Sequence, residues 1–191
     1  MAVMSEDDDW VKEQFDYLKY GKTKKTEPPP KRLSFEEYGF LKALAASGRS
    51  EDPHTQVGGA VFRADNKRFL SSGYNGLASG MDWPIEFDTD RDLKGELIIH
   101  CEQNLKLQTP DIDKIVFLTM APCFSCSKFL SSPLARVREV YSLKEYGRDK
   151  EKKYQKVFDF YNIKYKLATK QQIKNIAVHM EKSLADLTNL L

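Results

Sequence analysis

Two short segments hold the residues that could do chemistry: His100-Cys101-Glu102 and Pro122-Cys123-Phe124-Ser125-Cys126. One imidazole and two thiols are donors of the kind zinc takes, and three protein ligands leave a tetrahedral ion with one open corner. Two thiolates and a neutral ring bring the net charge of such a site close to zero. Water at the open corner falls from a pKa of about 15.7 towards about 7, so hydroxide becomes available at neutral pH. The thiolates blunt that effect, and a nearby base should help. Glu102, two residues after His100, is placed to take the water's proton and hand it on. The rival reading, a structural zinc, needs a fourth protein ligand. Only Cys101 and His54 are at hand, and Cys101 points away from His100 if the two lie on a helix.

The elements that must position these residues can be read from periodicity. Ser34 and Glu37 make a capping box, after which Phe35, Tyr38, Leu41, Leu44 and Ala45 follow at helical spacing until Gly48. Two β-like runs, Gln56 to Phe62 and Arg68 to Tyr74, are joined by the turn-like Ala64-Asp65-Asn66-Lys67. A polar, irregular stretch from Gly76 to Lys94 leads to an expected helix from about Glu96 to Leu107. Lys114 to Met120 reads as a buried strand, and the cysteine pair falls where it ends and a helix begins. Free N–H groups and the helix dipole at that helix start favour thiolates. Val137 to Leu143 (strand), Lys150 to Tyr161 (helix) and Ile163 to Leu167 (strand) follow. The remainder, 169–191, is an amphipathic helix with Ile173, Ile176, Ala177, Met180, Leu184, Leu187 and Leu191 on one stripe. A helix, a hairpin and then strand–helix alternation predict a three-layer α/β/α sandwich around one mixed sheet.

The ordered domain is expected over 34–168. Residues 1–33 read as an arm and linker: Asp7 to Tyr20 as a short amphipathic helix, and Gly21 to Arg32 as a basic strap broken by Pro28-Pro29-Pro30. With 191 residues, 41% of them hydrophobic, the chain can build one core but not two. No apolar run reaches membrane-spanning length, and Met1 to Trp10 is acidic where a signal peptide would be basic and then apolar. Thirty basic residues against 28 acidic ones leave a net charge of +2, which argues against a whole-protein field gripping long nucleic acid. Three cysteines without an export signal point to a reducing compartment, the cytoplasm.

The two chemical segments match the H-x-E…P-C-x-x-C signature of zinc-dependent deaminases, and further blocks narrow the likeness. Arg49-Ser50-Glu51-Asp52-Pro53-His54-Thr55-Gln56-Val57-Gly58, Gly73-Tyr74-Asn75-Gly76, and Glu139-Val140-Tyr141 with Tyr146 lie at the expected places. Over roughly Leu33 to Leu167 the sequence resembles the deoxycytidylate (dCMP) deaminases of the cytidine and deoxycytidylate deaminase superfamily. The resemblance implies a cytidine deaminase-like fold and hydrolysis of dCMP to dUMP and ammonia, feeding thymidylate synthesis. His100, Cys123 and Cys126 would hold zinc, and Glu102 would pass protons to a ring nitrogen and to departing ammonia. Asn75 would contact the sugar, and the Cys101 N–H and Ala121 carbonyl would contact the pyrimidine. Val57, Arg49, His54 and Tyr146 become candidates for the base or phosphate pocket. A homo-oligomer is implied, a hexamer in many members, with dCTP activation and dTTP inhibition near the G-Y-N-G loop and Mg2+ accompanying the nucleotide.

The chain departs from the family pattern in three places. His100-Cys101-Glu102 stands where H-A-E is usual, Leu77-Ala78-Ser79-Gly80 lacks the usual proline, and Gly76 to Ile99 has no Cys or His for a second, structural zinc. One zinc is expected. Rival functions are deamination of another free nucleotide or of an RNA base, and a silent nucleotide-binding zinc protein. The near-neutral charge opposes an RNA groove, and intact Glu102 opposes silence. His179 reads as a solvent-edge residue, and His54 as either a phosphate contact or a turn cap. Trp10 and Trp83 read as packing anchors. Gly58-Gly59, inside a strand, marks close backbone approach, either to a substrate base or to a neighbouring helix.

Overall fold

A computed structural model describes residues 32–188, apart from 79, 106 and 108–110. The expected N-terminal arm, with its helix over Asp7 to Tyr20, therefore lies outside the described residues, as does Leu191 of the tail stripe.

Helix α1 (Phe35–Ser47) starts at the capping box: the Glu37 N–H donates to Ser34 Oγ at 3.2 Å and the Ser34 N–H to Glu37 Oε2 at 2.7 Å. Strands β1 (Gly58–Arg63) and β2 (Phe69–Tyr74) form the expected antiparallel hairpin. β3 (Lys114–Leu118) lies antiparallel to β1, while β4 (Val137–Ser142) and β5 (Lys164–Leu167) extend the sheet in parallel, in the order β2-β1-β3-β4-β5. Successive residues of a strand face opposite sides, and two cores result. On one side Ala60, Phe62, Ile115, Phe117 and Tyr141 bury against Phe40 and Ala43 of α1 and Ile176 of the final helix. On the other, Val61, Val116, Leu118 and Val140 meet Cys101, Leu105, Leu130, Tyr154 and Phe158. This is the three-layer sandwich.

The register decides where the loops gather. Gly58 pairs with Tyr74, Gly59 with Leu118, and Leu118 with Ser142. The start of β1 and the ends of β2, β3 and β4 thus share one end of the sheet. The segments that carry Arg49 to Val57, Asn75, His100 to Glu102, Cys123 to Cys126 and Tyr146 all adjoin that end, as expected for a site beyond the carboxyl ends of parallel strands.

One expected element is corrected. The helix over Glu96 to Leu107 is two, α3 (Arg91–Leu97) and α4 (Cys101–Asn104). Between them Ile99 forms a bridge with Gly76: its N–H donates to the Gly76 carbonyl at 2.9 Å and its carbonyl accepts from Gly76 at 3.1 Å. An extended residue paired across the chain cannot also continue a helix. The stretch taken as irregular holds α2 (Glu86–Thr89) and most of α3, whose first N–H groups are capped by Asp90. No residue of α3 is buried, so its sequence has no apolar period to show. The later helices, α5 (Phe124–Leu130), α6 (Lys153–Phe160) and α7 (Lys170–Thr188), lie where they were expected. Of the α7 stripe only Ile176 is buried. Ile173, Met180, Leu184 and Leu187 stay exposed, the last two at 59%.

The Gly58 alternatives are resolved in favour of the helix. A Cβ there would meet the Ala43 carbonyl oxygen at 2.1 Å and the Ser47 nitrogen at 2.3 Å, so α1 packs directly on the strand backbone. Backbone cannot swing aside as a side chain can. Gly58→Ala is therefore expected to lower stability by about 1–3 kcal/mol, read as a lower urea midpoint at unchanged slope. An unchanged midpoint would mean that α1 can recede.

Candidate metal centre

Three donors converge from two helix starts. His100 is the extended N-cap of α4 (φ −70°, ψ 150°), held by its N–H donating to Gln103 Oε1 at 3.0 Å. Cys123 is the N-cap of α5, and its sulfur accepts from the Cys126 N–H at 3.4 Å. His100 Nδ1 stands 3.3 Å from Cys126 Sγ and 3.6 Å from Cys123 Sγ, and all three donor atoms lie within 4.8 Å of one another. With Zn–N near 2.0 Å and Zn–S near 2.3 Å, the N···S edge of a tetrahedron is about 3.5 Å. Donor types and spacing therefore both fit zinc.

The electrostatics agree. The Cys126 thiol, donating to Cys123, brings the Cys123 thiol down to about 4; burial opposes this, and the His100 ring and the Cys126 N–H assist. Cys126, which keeps the shared proton, is pushed up by the same hydrogen bond and by burial. The neighbouring Cys123 holds the His100 ring above its usual value against burial. Such a cluster already stores one thiolate, and filling it with a metal releases the remaining protons.

Glu102 sits in the first turn of α4, only 4% exposed. Burial pushes its carboxyl above the ordinary range, against its own backbone N–H and the His100 ring. It lines a cavity of about 380 Å³, together with His100 and Cys123. Val57, Asn75, Cys101, Ala121, His54 and Tyr146 also border this cavity. Arg49 does not: it is exposed, with its guanidinium 5.6 Å from the centre of the Tyr74 ring. Cys101 is buried with its thiol donating to the Gly73 carbonyl at 3.4 Å, away from the His100 trio.

Asn75 is a junction. Its Oδ1 accepts from the Val57 N–H at 2.7 Å and from Ser50 Oγ at 2.8 Å, and its Nδ2 donates to the Thr55 carbonyl at 2.8 Å. The carboxamide thereby ties the 50–57 loop to the end of β2. His54 borders the cavity while its backbone N–H donates to Asp52 Oδ1 at 2.9 Å. Trp83 packs edge-on against Phe87, with ring centres 5.4 Å apart.

Sequence reasoning missed Asp52, Lys94, Arg91, Arg148 and Phe87, all of which line the cavity. The Lys94 ammonium reaches Asp52 Oδ2 at 2.6 Å, and the carboxylate side is 2% exposed. A charged residue on a helix without an apolar stripe offered no signal that it would turn inward.

The model of the cytidine and deoxycytidylate deaminase zinc-binding region matches residues 33–144. The chain belongs to this family. A probable deoxycytidylate deaminase of Caenorhabditis elegans is 36% identical over 111 residues, covering 54% of this chain and 55% of that protein. Human deoxycytidylate deaminase is 26% identical over 127 residues, covering 62% and 70%. The chain thus spans about half the length of the first relative. Among solved structures, the dCMP deaminase of cyanophage S-TIM5 in complex with dCMP and dUMP superposes with a TM-score of 0.57 at 24% identity, covering 75% of this chain and 100% of that one. The deaminase/reductase of Thermotoga maritima gives 0.53 at 13% identity, over 74% and 39%. These likenesses show the cytidine deaminase-like fold.

Burial pushes the Asp52 carboxyl up, but Lys94 and the N–H groups of His54 and Thr55 outweigh it and hold the carboxyl below its usual value. A group titrating lower when folded stabilises fully above about pH 4 and stops doing so as pH falls through its folded value. Asp52→Asn, which strands Lys94, is expected to cost about 3 kcal/mol at pH 7. The gap between variant and wild type should shrink below pH 4, as read from urea midpoints across pH. A gap independent of pH would refute the charged pair.

Proposed function

We propose that this chain hydrolyses dCMP to dUMP and ammonia with one zinc ion, supplying dUMP for thymidylate synthesis. The observation that carries this reading is a buried carboxylate, Glu102, beside a His–Cys–Cys trio at a cavity in a member of this family. Relatives named deoxycytidylate deaminase, and the cyanophage enzyme bound to dCMP and dUMP, support the substrate.

Zinc bound by His100, Cys123 and Cys126 would supply an acidified water as the nucleophile for C4 of the pyrimidine. Glu102 accepts a proton from that water and delivers it to the ring nitrogen N3. A second proton passes through the same carboxylate to the departing amino group, so that water and dCMP become dUMP and ammonia. Its burial matters here, because a carboxylate stripped of water is a stronger base than an exposed one and so takes up a proton more readily. The Cys101 N–H, at the start of α4 where no carbonyl of the preceding turn can bind it, is free to meet the pyrimidine. The Ala121 carbonyl lies in a peptide segment fixed by the Ala121 N–H donating to the Lys144 carbonyl at 2.8 Å. Val57, His54 and Tyr146 border the base and sugar. Asn75, through Ser50, Val57 and Thr55, sets the wall against which the sugar lies.

The reading extends to a cytoplasmic homo-oligomer under dCTP and dTTP control, with Mg2+ accompanying the effector. The uncovered apolar residues of α7 support the oligomer, and the three free cysteines support a reducing compartment. No described helix is long and apolar enough to cross a membrane.

Glu102→Gln is expected to keep one zinc per chain and to lose at least about a hundredfold in dCMP turnover. His100→Ala is expected to lose zinc as well. Zinc by elemental analysis and ammonia release are measured on the same preparations. Undiminished turnover in Glu102→Gln would remove the proposed role.

A further inference from the structure

Helix α7 is tied to its own domain along one side only. Ile176 is buried in the core beside α1, and the Gln172 and Asn175 side chains donate to Glu36 and Glu37 at 2.6 Å each. At 100° per residue, Ile173, Ala177, Met180, Leu184 and Leu187 fall within about 80° of one another, on a stripe adjoining that tied side. All five are exposed. Their spacing of four, three, four and three is that of a coiled-coil seam, with Ile173, Met180 and Leu187 at d and Ala177 and Leu184 at a. The flank of the seam opposite Ile176 carries Lys174 and Glu181 at successive e positions. No residue three or four away from either has the opposite charge, so the helix cannot answer them itself. Among the described residues neither forms an ion pair. The helix lies beyond residues 33–144, so the family likeness says nothing of this surface.

Resting on the homo-oligomer of the proposed reading, we infer that α7 pairs antiparallel with α7 of a second copy, about a twofold axis between Ala177 and Met180. In that register Ile173 of each copy faces Leu184 of the other, and Ala177 faces Met180. Positions e lie opposite e across an antiparallel seam, so Lys174 of each copy meets Glu181 of the other and both ion pairs form at once. A surface that completes itself under a twofold rotation is what an isologous contact requires. A parallel pairing would set e against g instead. Glu181 would then face Ile176, which is committed to its own core, and neither ion pair would form. The charges thus choose the direction, while the apolar seam supplies most of the attraction. Attachment to α1 helps: an isolated helix of 19 residues would have to order as it paired, whereas α7 is already held, and less entropy is lost. Five apolar residues a side make a small interface, so dissociation at roughly micromolar concentration is expected.

The test uses full-length, zinc-loaded protein: wild type, Lys174→Glu, Glu181→Lys, the double variant that exchanges the two charges, and Leu184→Asp. All three positions are exposed in a single copy, so the variants should keep the fold, which thermal melting checks. Sedimentation over a range of concentrations reads the association. Each single charge variant sets like charges together twice and is expected to weaken association about tenfold. That loss should shrink as salt rises towards about 1 M. The exchanged double variant should associate as wild type does. So should an equal mixture of the two single variants, because each supplies the charge that the other lacks. Leu184→Asp should weaken association more than either charge variant. Single variants that associate like wild type, or an exchanged variant or mixture that fails to recover, overturns the pairing. Oligomers that persist unchanged in every variant would defeat this contact and leave the homo-oligomer standing. A wild type that stays monomeric at the highest concentration reached would defeat both. Ammonia release from dCMP is followed on the same preparations: the expected variant pattern without turnover would uphold the pairing and defeat the deaminase reading alone.

Discussion

The pair of hydrogen bonds between Gly76 and Ile99 is the constraint on which the centre depends. It interrupts what would otherwise run on as one helix, and the interruption makes His100 an N-cap and puts Glu102 in a first turn. Were the helix continuous, His100 and Glu102 would project about 200° apart around one axis. In the interrupted chain the ring points at the two sulfurs while the carboxylate still faces the cavity. The second cysteine-bearing helix is aligned by the sheet itself, since β3 ends where α5 must begin.

Ser50, Asp52 and Asn75, all enclosed at this end of the sheet, are answered by partners, and that is what keeps this wall of the cavity in shape. The Asn75 carboxamide satisfies the 50–57 loop, which has no ladder of its own, and Asp52 gathers two backbone N–H groups and one ammonium. Leaving any one of these buried groups unpaired would cost more than an ordinary hydrogen bond contributes, because the desolvation would go uncompensated. The wall is therefore rigid for the same reason that it is polar. The opposite side of the sheet is apolar and aromatic, with Phe35, Phe40, Phe62, Phe117 and Tyr141 meeting mostly edge to face. It lends stability and takes no part in the chemistry.

The motifs legible in the sequence proved to be of two kinds. His100, Glu102, Cys123 and Cys126 were legible because few other arrangements of those residue types make chemical sense. Gly73-Tyr74-Asn75-Gly76 and the Arg49 to Gly58 block were legible only through family resemblance, and their tasks here are largely architectural. Asn75 and Gly58 hold backbone segments against one another, and Arg49 lies outside the cavity. The short helices α2 and α3 escaped notice because neither presents an apolar period, although they bring Phe87, Arg91 and Lys94 to the cavity.

By itself, the sequence determined the alternation of elements, the capped first helix, the strand order's hydrophobic signature and the identity of the three soft donors with their carboxylate. These follow from local periodicity and from donor chemistry, both of which act over a few residues. Only the tertiary structure decided the break at Ile99, the inward turn of Lys94 onto Asp52, and the convergence of Arg91 and Arg148 on one cavity. Each of those depends on strand register and on pairings between residues far apart in the chain, and no short stretch of sequence contains that information.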